Sequence, residues 1–268
     1  MTKAAIFRSY LPLKQLRITE TPIPTFKYNS PHTAQMTMQR IIDDETASEL
    51  KAKFDSELVD PVDLILFEGN KNKEYSEWVK QLLKELSELS NKLVHRVHNI
   101  ILEPDVIEKY RVIRVPTILI GADMGYLIRY TGAPAGHEAW GFVETISLVS
   151  QGNPDLSEES MRKLDELSDI GGRIRLVTFV TPTCPYCPHQ VLLSNKIAVA
   201  LRGIVESDCV EAYENPDLAD KHKVSAVPHN LITFSEGDEE IVLSTSVGVQ
   251  PEEKMVEDLI EAVRRIKR

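Results

Sequence analysis

Two of the three cysteines in the 268-residue sequence lie three residues apart, at Cys184 and Cys187. An apolar, strand-like run precedes them at 174–180, and apolar residues at helical spacing follow over 185–202. The first thiol would therefore lie at the entrance of a helix, where unpaired amides and the helix dipole favour a thiolate. Cysteine pKa values in such positions fall from about 8.5 to roughly 3.5–7.5. The pattern predicts a redox-active dithiol.

A structural zinc site is the main alternative for a C-x-x-C motif. Such a site needs four ligands, commonly two cysteine pairs or one pair with suitably spaced histidines. The sequence has no second pair, and His189 lies only two residues beyond Cys187. We therefore predict redox chemistry without a metal or any other cofactor. The third cysteine, Cys209, lies in an apolar alternation over 204–210 and is predicted to be a buried strand thiol.

The charge is distributed unevenly along the chain. The formal net charge is −10, yet residues 1–40 hold six Lys or Arg and one acid, which gives that segment +5 and the remainder −15. An acidic body argues against nucleic-acid binding, because phosphate contacts need clustered positive charge. We predict that residues 1–40 form a basic N-terminal arm. An organelle-targeting leader is the alternative interpretation of the same composition.

The sequence predicts neither a membrane span nor a secretory signal. No stretch approaches 18 consecutive apolar residues, and the apolar segment at 10–13 ends at Lys14. Disulfide-stabilised secreted domains are also richer in cysteine than this chain. We therefore expect a cytoplasmic protein with no membrane partner.

The chain contains an internal repeat, and its length also favours two domains. The strand-like run 62–67 recurs at 174–179, which is an offset of 112 residues. The run 115–120, with Val-Pro at its start, recurs at 227–232 with the same offset. Matches in the same order and at the same spacing indicate two copies of one fold.

Each half predicts the same order of elements: strand, helix, strand, short helix, two strands and a helix. The turn-rich residues 150–154 separate the halves, so we predict domains over 41–152, without a C-x-x-C, and over 153–268. This order is typical of an α/β fold, with two tandem domains that each hold a central mixed β-sheet flanked by helices. The predicted strands are 62–68, 95–102, 117–121, 127–131, 174–180, 204–212, 230–235 and 240–247. The predicted helices are 43–58, one around Val79–Leu93, 104–110, 136–150, 157–169, 185–202, 216–223 and 252–267.

These motifs resemble a known family. A C-x-x-C after the first strand and a Val-Pro before the third resemble a thioredoxin fold used twice, and Cys-Pro-Tyr-Cys at 184–187 resembles a glutaredoxin-type active site. The chain from about residue 43 to 268 is similar to the two-domain protein disulfide oxidoreductases of thermophilic prokaryotes. The segments that carry the resemblance are 180–188, 226–228 and 132–138.

The resemblance implies roles for the motif residues. Cys184 would attack a disulfide, and Cys187 would resolve the mixed disulfide, so the pair would form a redox-active disulfide. Pro228 would be a cis-proline facing the dithiol, and it would leave the backbone of Val227 free for an extended substrate peptide. Together with Tyr186, these two residues are the predicted substrate-binding residues.

Three functions remain open at this stage. The first is disulfide exchange with protein substrates. A flavoprotein similar to thioredoxin reductase would regenerate the Cys184–Cys187 pair after each exchange. The second is an electron relay from such a flavoprotein to a peroxiredoxin. The third is a binding or chaperone-like protein that retains the dithiol incidentally.

The first half departs from the family pattern. Lys73-Glu74-Tyr75-Ser76 stands where a first C-x-x-C would fall, with Lys73 at the position of the attacking thiol, and no cysteine precedes residue 184. We therefore predict that the N-terminal domain is redox-inactive.

The second half also lacks one expected residue. Many thioredoxins bury an acid six residues before the first cysteine, and Thr178 occupies that position here. A hydroxyl cannot serve as the proton acceptor for the resolving thiol. Glu206, Glu211 and Glu240 are the candidate replacements.

Overall fold

The structure is a computed structural model that describes residues 40–167, 172–236 and 239–266. The predicted basic arm lies outside the described residues except for Arg40. The strands in the described part are β1 (Val62–Glu68), β2 (Leu93–Asn99), β3 (Thr117–Ile120), β4 (Ile128–Thr131), β5 (Arg173–Val180), β6 (Val205–Glu211), β7 (His229–Glu236) and β8 (Glu239–Val247). The helices are α1 (Asp44–Glu57), α2 (Lys73–Leu89), α3 (Pro104–Tyr110), α4 (Glu138–Gln151), α5 (Glu158–Leu164), α6 (Cys187–Ala200), α7 (Pro216–Lys221) and α8 (Glu252–Ile266).

All eight strands belong to one continuous sheet in the order β2-β1-β3-β4-β6-β5-β7-β8. The first four strands and the last four form two mixed halves with the same internal arrangement. The halves join where β4 pairs in parallel with β6, with Arg129 opposite Asp208 and Tyr130 opposite Cys209. The predicted α/β organisation of two repeated units is confirmed, whereas their fusion into a single sheet was not predicted.

Helices cover both faces of the sheet because the strand residues are apolar on both sides. In β1, Leu64 and Leu66 pack with α1, α2 and α4, while Ile65 and Phe67 pack beneath α3 on the other face. The second half repeats this arrangement, with α5, α6 and α8 on one face and α7 on the other. Fully buried strands of this kind are expected where helices lie on both faces.

Helix α4 connects the two halves by packing. Eleven of its fourteen residues are buried, which a helix with only one apolar stripe would not show. It lies between α1 of the first half and α6 of the second. Gly152, with a positive φ of 61°, ends it by donating its N–H to the carbonyls of Leu148 and Val149.

Because β1 and β5 run in the same direction, the loops that follow them lie at the same end of the strands. These loops hold the dithiol of the second half and its counterpart in the first. Four inter-strand steps separate β1 from β5, which corresponds to about 19 Å across the sheet, perpendicular to the strands. The two centres are therefore neighbours on the same side of the molecule.

Most of the other elements begin and end within two residues of their predicted bounds, whereas β2 covers 93–99 instead of the predicted 95–102. The short helix α3 has the predicted bounds, and the predicted helix at 157–169 is α5 followed by a 3-10 turn over Asp165–Leu167. Of the helices in the described segments, none has both the length and the apolar character required to span a bilayer.

Candidate active site

The dithiol lies between the end of β5 and the start of α6, and its two sulfur atoms form a disulfide. Helix α6 begins at Cys187 instead of the predicted residue 185, so Cys184 lies in the preceding loop. The Cys184 residue is 8% exposed and Cys187 is fully buried. The sulfur of Cys184 is therefore the one that a partner can reach.

Backbone groups at the helix entrance surround the Cys184 sulfur. The N–H of Cys187 donates to Cys184 Sγ at 3.2 Å, and the N–H of Cys184 itself donates to the carbonyl of Thr181 at 3.1 Å. The amide of Cys187 would stabilise a negative charge on Cys184 after reduction, as would the start of α6. The local geometry thus suits a nucleophilic thiolate.

The predicted substrate-binding residues lie beside the dithiol. The Val227–Pro228 peptide bond is cis, and the carbonyl oxygen of Val227 is 3.9 Å from Cys184 Sγ. The side chain of Tyr186 projects into solvent, with 66% of the residue exposed. Gly248, which directly follows β8, donates its N–H to the carbonyl of Pro228. Backbone groups and an exposed aromatic ring therefore flank the reachable sulfur.

His229, the residue after this cis-proline, faces the sheet. Its ring packs edge-on against Phe179, and neither ring nitrogen has a hydrogen-bond partner. Burial lowers the pKa of His229, so the ring is neutral near pH 7. Because the ring is buried and neutral, His229 carries no positive charge that could stabilise a thiolate at Cys184.

Two of the three proposed proton acceptors are at the wrong end of the sheet. The carboxylates of Glu206 and Glu240 bind the guanidinium of Arg175, near the start of β5. The dithiol follows the opposite end of that strand, about 17 Å away at 3.3 Å per residue. Glu206 and Glu240 therefore cannot take the proton of Cys187, because their position and their ion pairs both exclude it.

Glu211 is the remaining candidate from the sequence, and it lies at the correct end of the sheet. It ends β6 opposite Val180, the last residue of β5. Its Oε2 accepts the N–H of Glu214 at 2.6 Å, while its buried Oε1 has no partner. Burial raises the pKa of Glu211 above the ordinary value.

A second buried acid near the dithiol comes from the first half and was missed in the sequence. Glu138, in the first turn of α4, is 1% exposed, and burial raises its pKa to about 8. Its Oε2 lies 3.8 Å from the sulfur of Cys209, the residue that pairs with Thr178 across β5 and β6. Its Oε1 is buried without a partner. The segment 132–138 was noticed as a family motif, but nothing in the sequence places its acid beside the other half.

The N-terminal turn of α4 also holds the loop that carries the dithiol. The N–H of His137 donates to the carbonyl of Pro182 at 2.9 Å. Gly136, with φ of 60°, lies against the same carbonyl so closely that a Cβ there would collide with it. One turn along, the ring of Trp140 contacts the ring of His189 on α6, with a centroid distance of 5.2 Å. The first half therefore forms one wall of the active site of the second.

The counterpart centre in the first half keeps the cis-proline but has no thiol. The Val115–Pro116 bond is cis, and the side-chain amide of Asn72 donates to the carbonyl of Val115 at 3.1 Å. This contact matches that of Cys184 with Val227, and both pairs are related by the repeat offset of 112. Asn72, and not Lys73 as predicted, therefore occupies the position of the attacking thiol. Lys73 is the exposed first residue of α2.

Cys209 is buried and free, as predicted, and burial raises its pKa well above the ordinary value for a thiol. Within the described ranges, no group of three or more His, Cys, Asp or Glu side chains is arranged to hold a metal ion.

Comparison with known proteins identifies the fold and the family. The family profile described as a thioredoxin domain matches residues 175–261. The crystal structure of a protein disulfide oxidoreductase from Aeropyrum pernix k1 is similar with a TM-score of 0.72 and 31% identity, over 83% of this chain and 94% of that one. The repeated fold and the dithiol thus define a double thioredoxin-fold protein of the thiol–disulfide oxidoreductase class. The chain belongs to the family of two-domain protein disulfide oxidoreductases.

Two further proteins are similar at lower identity. The N-terminal domain of the alkylhydroperoxide reductase AhpF from Enterococcus faecalis has a TM-score of 0.67 at 23% identity, covering 81% of this chain and 99% of that one. It has the same fold. A protein named NADH dehydrogenase from Ferdinandcohnia aciditolerans is 25% identical over 169 residues, or 62% of this chain. The match covers only 29% of that relative's own length.

Proposed function

We propose that the protein exchanges electrons with disulfides of other proteins through Cys184 and Cys187, while the first half performs no thiol chemistry. The observation that carries this proposal is the disulfide at the loop before α6, with one reachable and one buried cysteine. The domains would be 41–152 and 153–268, with the basic arm at 1–40. The redox-silent character of the first half rests on the absence of cysteine before residue 184.

Reduction of a substrate proceeds in two exchanges that balance sulfur and electrons. The Cys184 thiolate attacks one sulfur of the substrate disulfide, forms a mixed disulfide and releases the other substrate sulfur as a thiolate. The Cys187 thiolate then attacks the Cys184 sulfur, which releases the second substrate thiol and leaves the Cys184–Cys187 disulfide. Two electrons pass to the substrate, and the reverse order of steps oxidises a substrate dithiol.

The substrate would lie along the backbone of Val227. An extended peptide can form main-chain hydrogen bonds with the residue before the cis-proline, next to the attacking sulfur. Exposed apolar side chains lie at the same end of the strands as the dithiol, among them Tyr186, Val247 and Val249. This arrangement favours unfolded or locally extended protein segments as substrates.

A trapping experiment tests this function and separates it from the electron relay. In a Cys187→Ser variant the mixed disulfide at Cys184 is not resolved, so bound partners stay attached and are identified by mass spectrometry after a pull-down. We expect many unrelated proteins, together with dithiothreitol-dependent reduction of insulin by the wild type. Absence of insulin reduction would contradict the proposal.

The relay is the second candidate, and the likeness in fold to a domain of alkylhydroperoxide reductase favours it. In this function the chain passes electrons from a flavoprotein similar to thioredoxin reductase to a peroxiredoxin. A single small redox protein in the Cys187→Ser pull-down would support the relay. Holdase activity that is unchanged after alkylation of Cys184 and Cys187 would instead support a binding or chaperone-like role.

We further propose that Glu138 of the first half takes the proton that Cys187 releases. Helix α4, which carries Glu138, packs against the first turn of α6 where Gly141 meets Pro188, directly next to Cys187. Glu138 has an unpartnered oxygen in this buried region. It would replace the acid that Thr178 cannot provide.

Replacement of Glu138 by glutamine is expected to slow reduction by about a hundredfold at pH 8, a usual size for loss of a general base. Because the pKa of Glu138 is about 8, only its minor ionised fraction can accept a proton at pH 7, and the wild-type rate should rise through pH 8. The variant should lose this rise. The measurement is the pH profile of insulin reduction.

Glu214→Gln is the matched control for this experiment. The Glu214 pKa is also raised to about 8 by burial, but its Oε1 accepts the N–H of Ala133 instead of lying beside Cys209. A glutamine keeps that hydrogen bond, so the rise through pH 8 should persist. An unchanged profile in Glu138→Gln, or its loss in Glu214→Gln, would remove the role given to Glu138.

A further inference from the structure

The silent centre of the first half is bonded to a loop of the second half. Asn72 has a left-handed backbone, with φ of 53°, and its side-chain amide donates to two carbonyls. One is that of Val115, in its own half, at 3.1 Å. The other is that of Glu214 at 3.3 Å, in the loop that connects β6 to α7. The side chain at the thiol position therefore bridges the two halves.

Arg114 forms the second link, from the silent centre to the end of the same loop and the first turn of α7. It lies two residues before cis-Pro116, and its two terminal nitrogens bind Asp217 in a bidentate pair at 2.9 and 2.7 Å. One of them also lies 3.4 Å from the side-chain oxygen of Asn215. Bidentate guanidinium–carboxylate pairs fix orientation better than single ion pairs do. The corresponding residue of the second half is Ala226, which has no such group.

The held loop connects the silent centre to the acids near the dithiol. The N–H of Glu214 donates to Glu211 Oε2, and the carboxyl of Glu214 accepts the N–H of Ala133. Burial raises the pKa of Glu138, and the negative charge of Glu211 adds to this rise. The pKa of Tyr75, in the first turn of α2, is raised by burial and by the negative charges of Glu214 and Glu211. Hydrogen bonds therefore run from Asn72 through Glu214 to Glu211, and the charge of Glu211 acts on Glu138, the acid proposed for Cys187.

We propose that the silent centre is an internal latch, in which Asn72 and Arg114 hold residues 212–217 and thereby set the reactivity of the Cys184–Cys187 pair. Asn72 and Arg114 are positioning residues, because they act through the loop and touch neither substrate nor sulfur. The proposal rests on the proposed function, since reactivity is measured as disulfide exchange. It gives the first half a task for which no cysteine is needed.

The test combines Asn72→Gly with Arg114→Ala in the full chain. Glycine adopts a positive φ without strain, so this substitution removes the amide and spares the backbone. We expect reduction of insulin to slow by about three- to thirtyfold, the usual size of coupling through a contact network. The rise of the rate through pH 8 should shift, and the amides of 212–217 should exchange hydrogen faster than in the wild type.

Controls separate the latch from a general loss of stability. Arg264→Ala breaks an exposed, single arginine–carboxylate contact far from the dithiol in sequence, with Glu166 at 2.7 Å, and should change neither the rate nor the exchange. Exchanging the charges, Arg114→Asp with Asp217→Arg, should restore the rate lost in Arg114→Asp alone. Should the double variant fail to fold, Asn72→Gly and Arg114→Asp are measured singly.

Three results would overturn the latch: a wild-type rate and pH profile in the latch variants, unchanged exchange at 212–217, or no recovery with the exchanged charges. In each case the wild type would still reduce insulin in a Cys184-dependent manner, so the proposed function would stand. Loss of that wild-type activity would instead contradict the proposed function.

Discussion

Replacing Cys184 by serine is expected to lower the rate of insulin reduction by about a thousandfold or more, because a hydroxyl cannot replace the attacking thiolate. Cys187 cannot substitute for it, since that sulfur is fully buried in the first turn of α6. Cys209 is also buried, and burial holds its pKa well above the ordinary range, so it stays protonated and unreactive. The measurement is the initial rate of insulin reduction with dithiothreitol.

The matched control places serine at the start of α2 in the silent half, next to Asn72, which is the counterpart of Cys184. Lys73→Ser changes an exposed residue at the start of α2 and should leave the rate within about twofold of the wild type, as surface substitutions usually do. Equal losses in Cys184→Ser and Lys73→Ser would show that the first half takes part in the chemistry. Retention of most activity in Cys184→Ser would mean that the dithiol is not the centre.

Local features of the sequence predicted the repeated elements and the dithiol. The apolar runs ending at Glu68 and Val180 are short and nearly continuous, as in strands that are buried on both faces. The cysteine spacing places both thiols at one strand–helix junction. Such patterns depend on a few neighbouring residues, so they can be recognised in the sequence without knowing the fold. The helix starts are less well specified, because α6 begins at Cys187 while α2 begins at Lys73. Lys73 is predicted at the thiol position because matching Tyr75-Ser76 to Tyr186-Cys187 gives an offset of 111, whereas the contacts to the two cis-proline loops give 112.

The contacts between the halves could not be predicted, because they join residues far apart in the sequence. Glu138 and Cys209 are separated by 71 residues, and Asn72 and Glu214 by 142. The sequence around Cys209 indicates a buried strand, but no local pattern in either pair indicates which residue of the other half it contacts. Only the parallel pairing of β4 with β6 brings the two halves together so that both contacts can form.

The junction of β4 and β6 also contains a buried group of opposite charges. Arg129 of the first half, which is 8% exposed, donates to Glu206 of the second half at 3.3 Å, and Glu206 is 1% exposed. Glu206 also binds the guanidinium groups of Arg173 and Arg175. Burial lowers the pKa of Arg129 and of Arg173 to about 10, so both remain charged at neutral pH. Glu206 is the carboxylate that the guanidinium groups of Arg129, Arg173 and Arg175 all contact, while Asp208 pairs with Arg175.

Replacement of Glu206 by glutamine is therefore expected to reduce the free energy of unfolding by about 3–5 kcal/mol, the usual cost of leaving buried charge without its partner. Because Arg129 and Glu206 lie on opposite sides of the junction, the loss should destabilise both halves together. Urea denaturation should show one transition with a lower midpoint and an unchanged slope.

Glu240→Gln is the comparison that makes this prediction specific. Glu240 binds Arg175 at 2.6 Å, but it is partly exposed at the edge strand β8, and Arg175 keeps Asp208 as a second partner at 2.7 Å. Loss of that carboxylate should cost about 1 kcal/mol or less, as for other solvent-accessible pairs. Equal losses in Glu206→Gln and Glu240→Gln would show that the junction is no more dependent on its buried charges than the edge. A second transition confined to Glu206→Gln would show that these charges couple the halves without determining the stability of either.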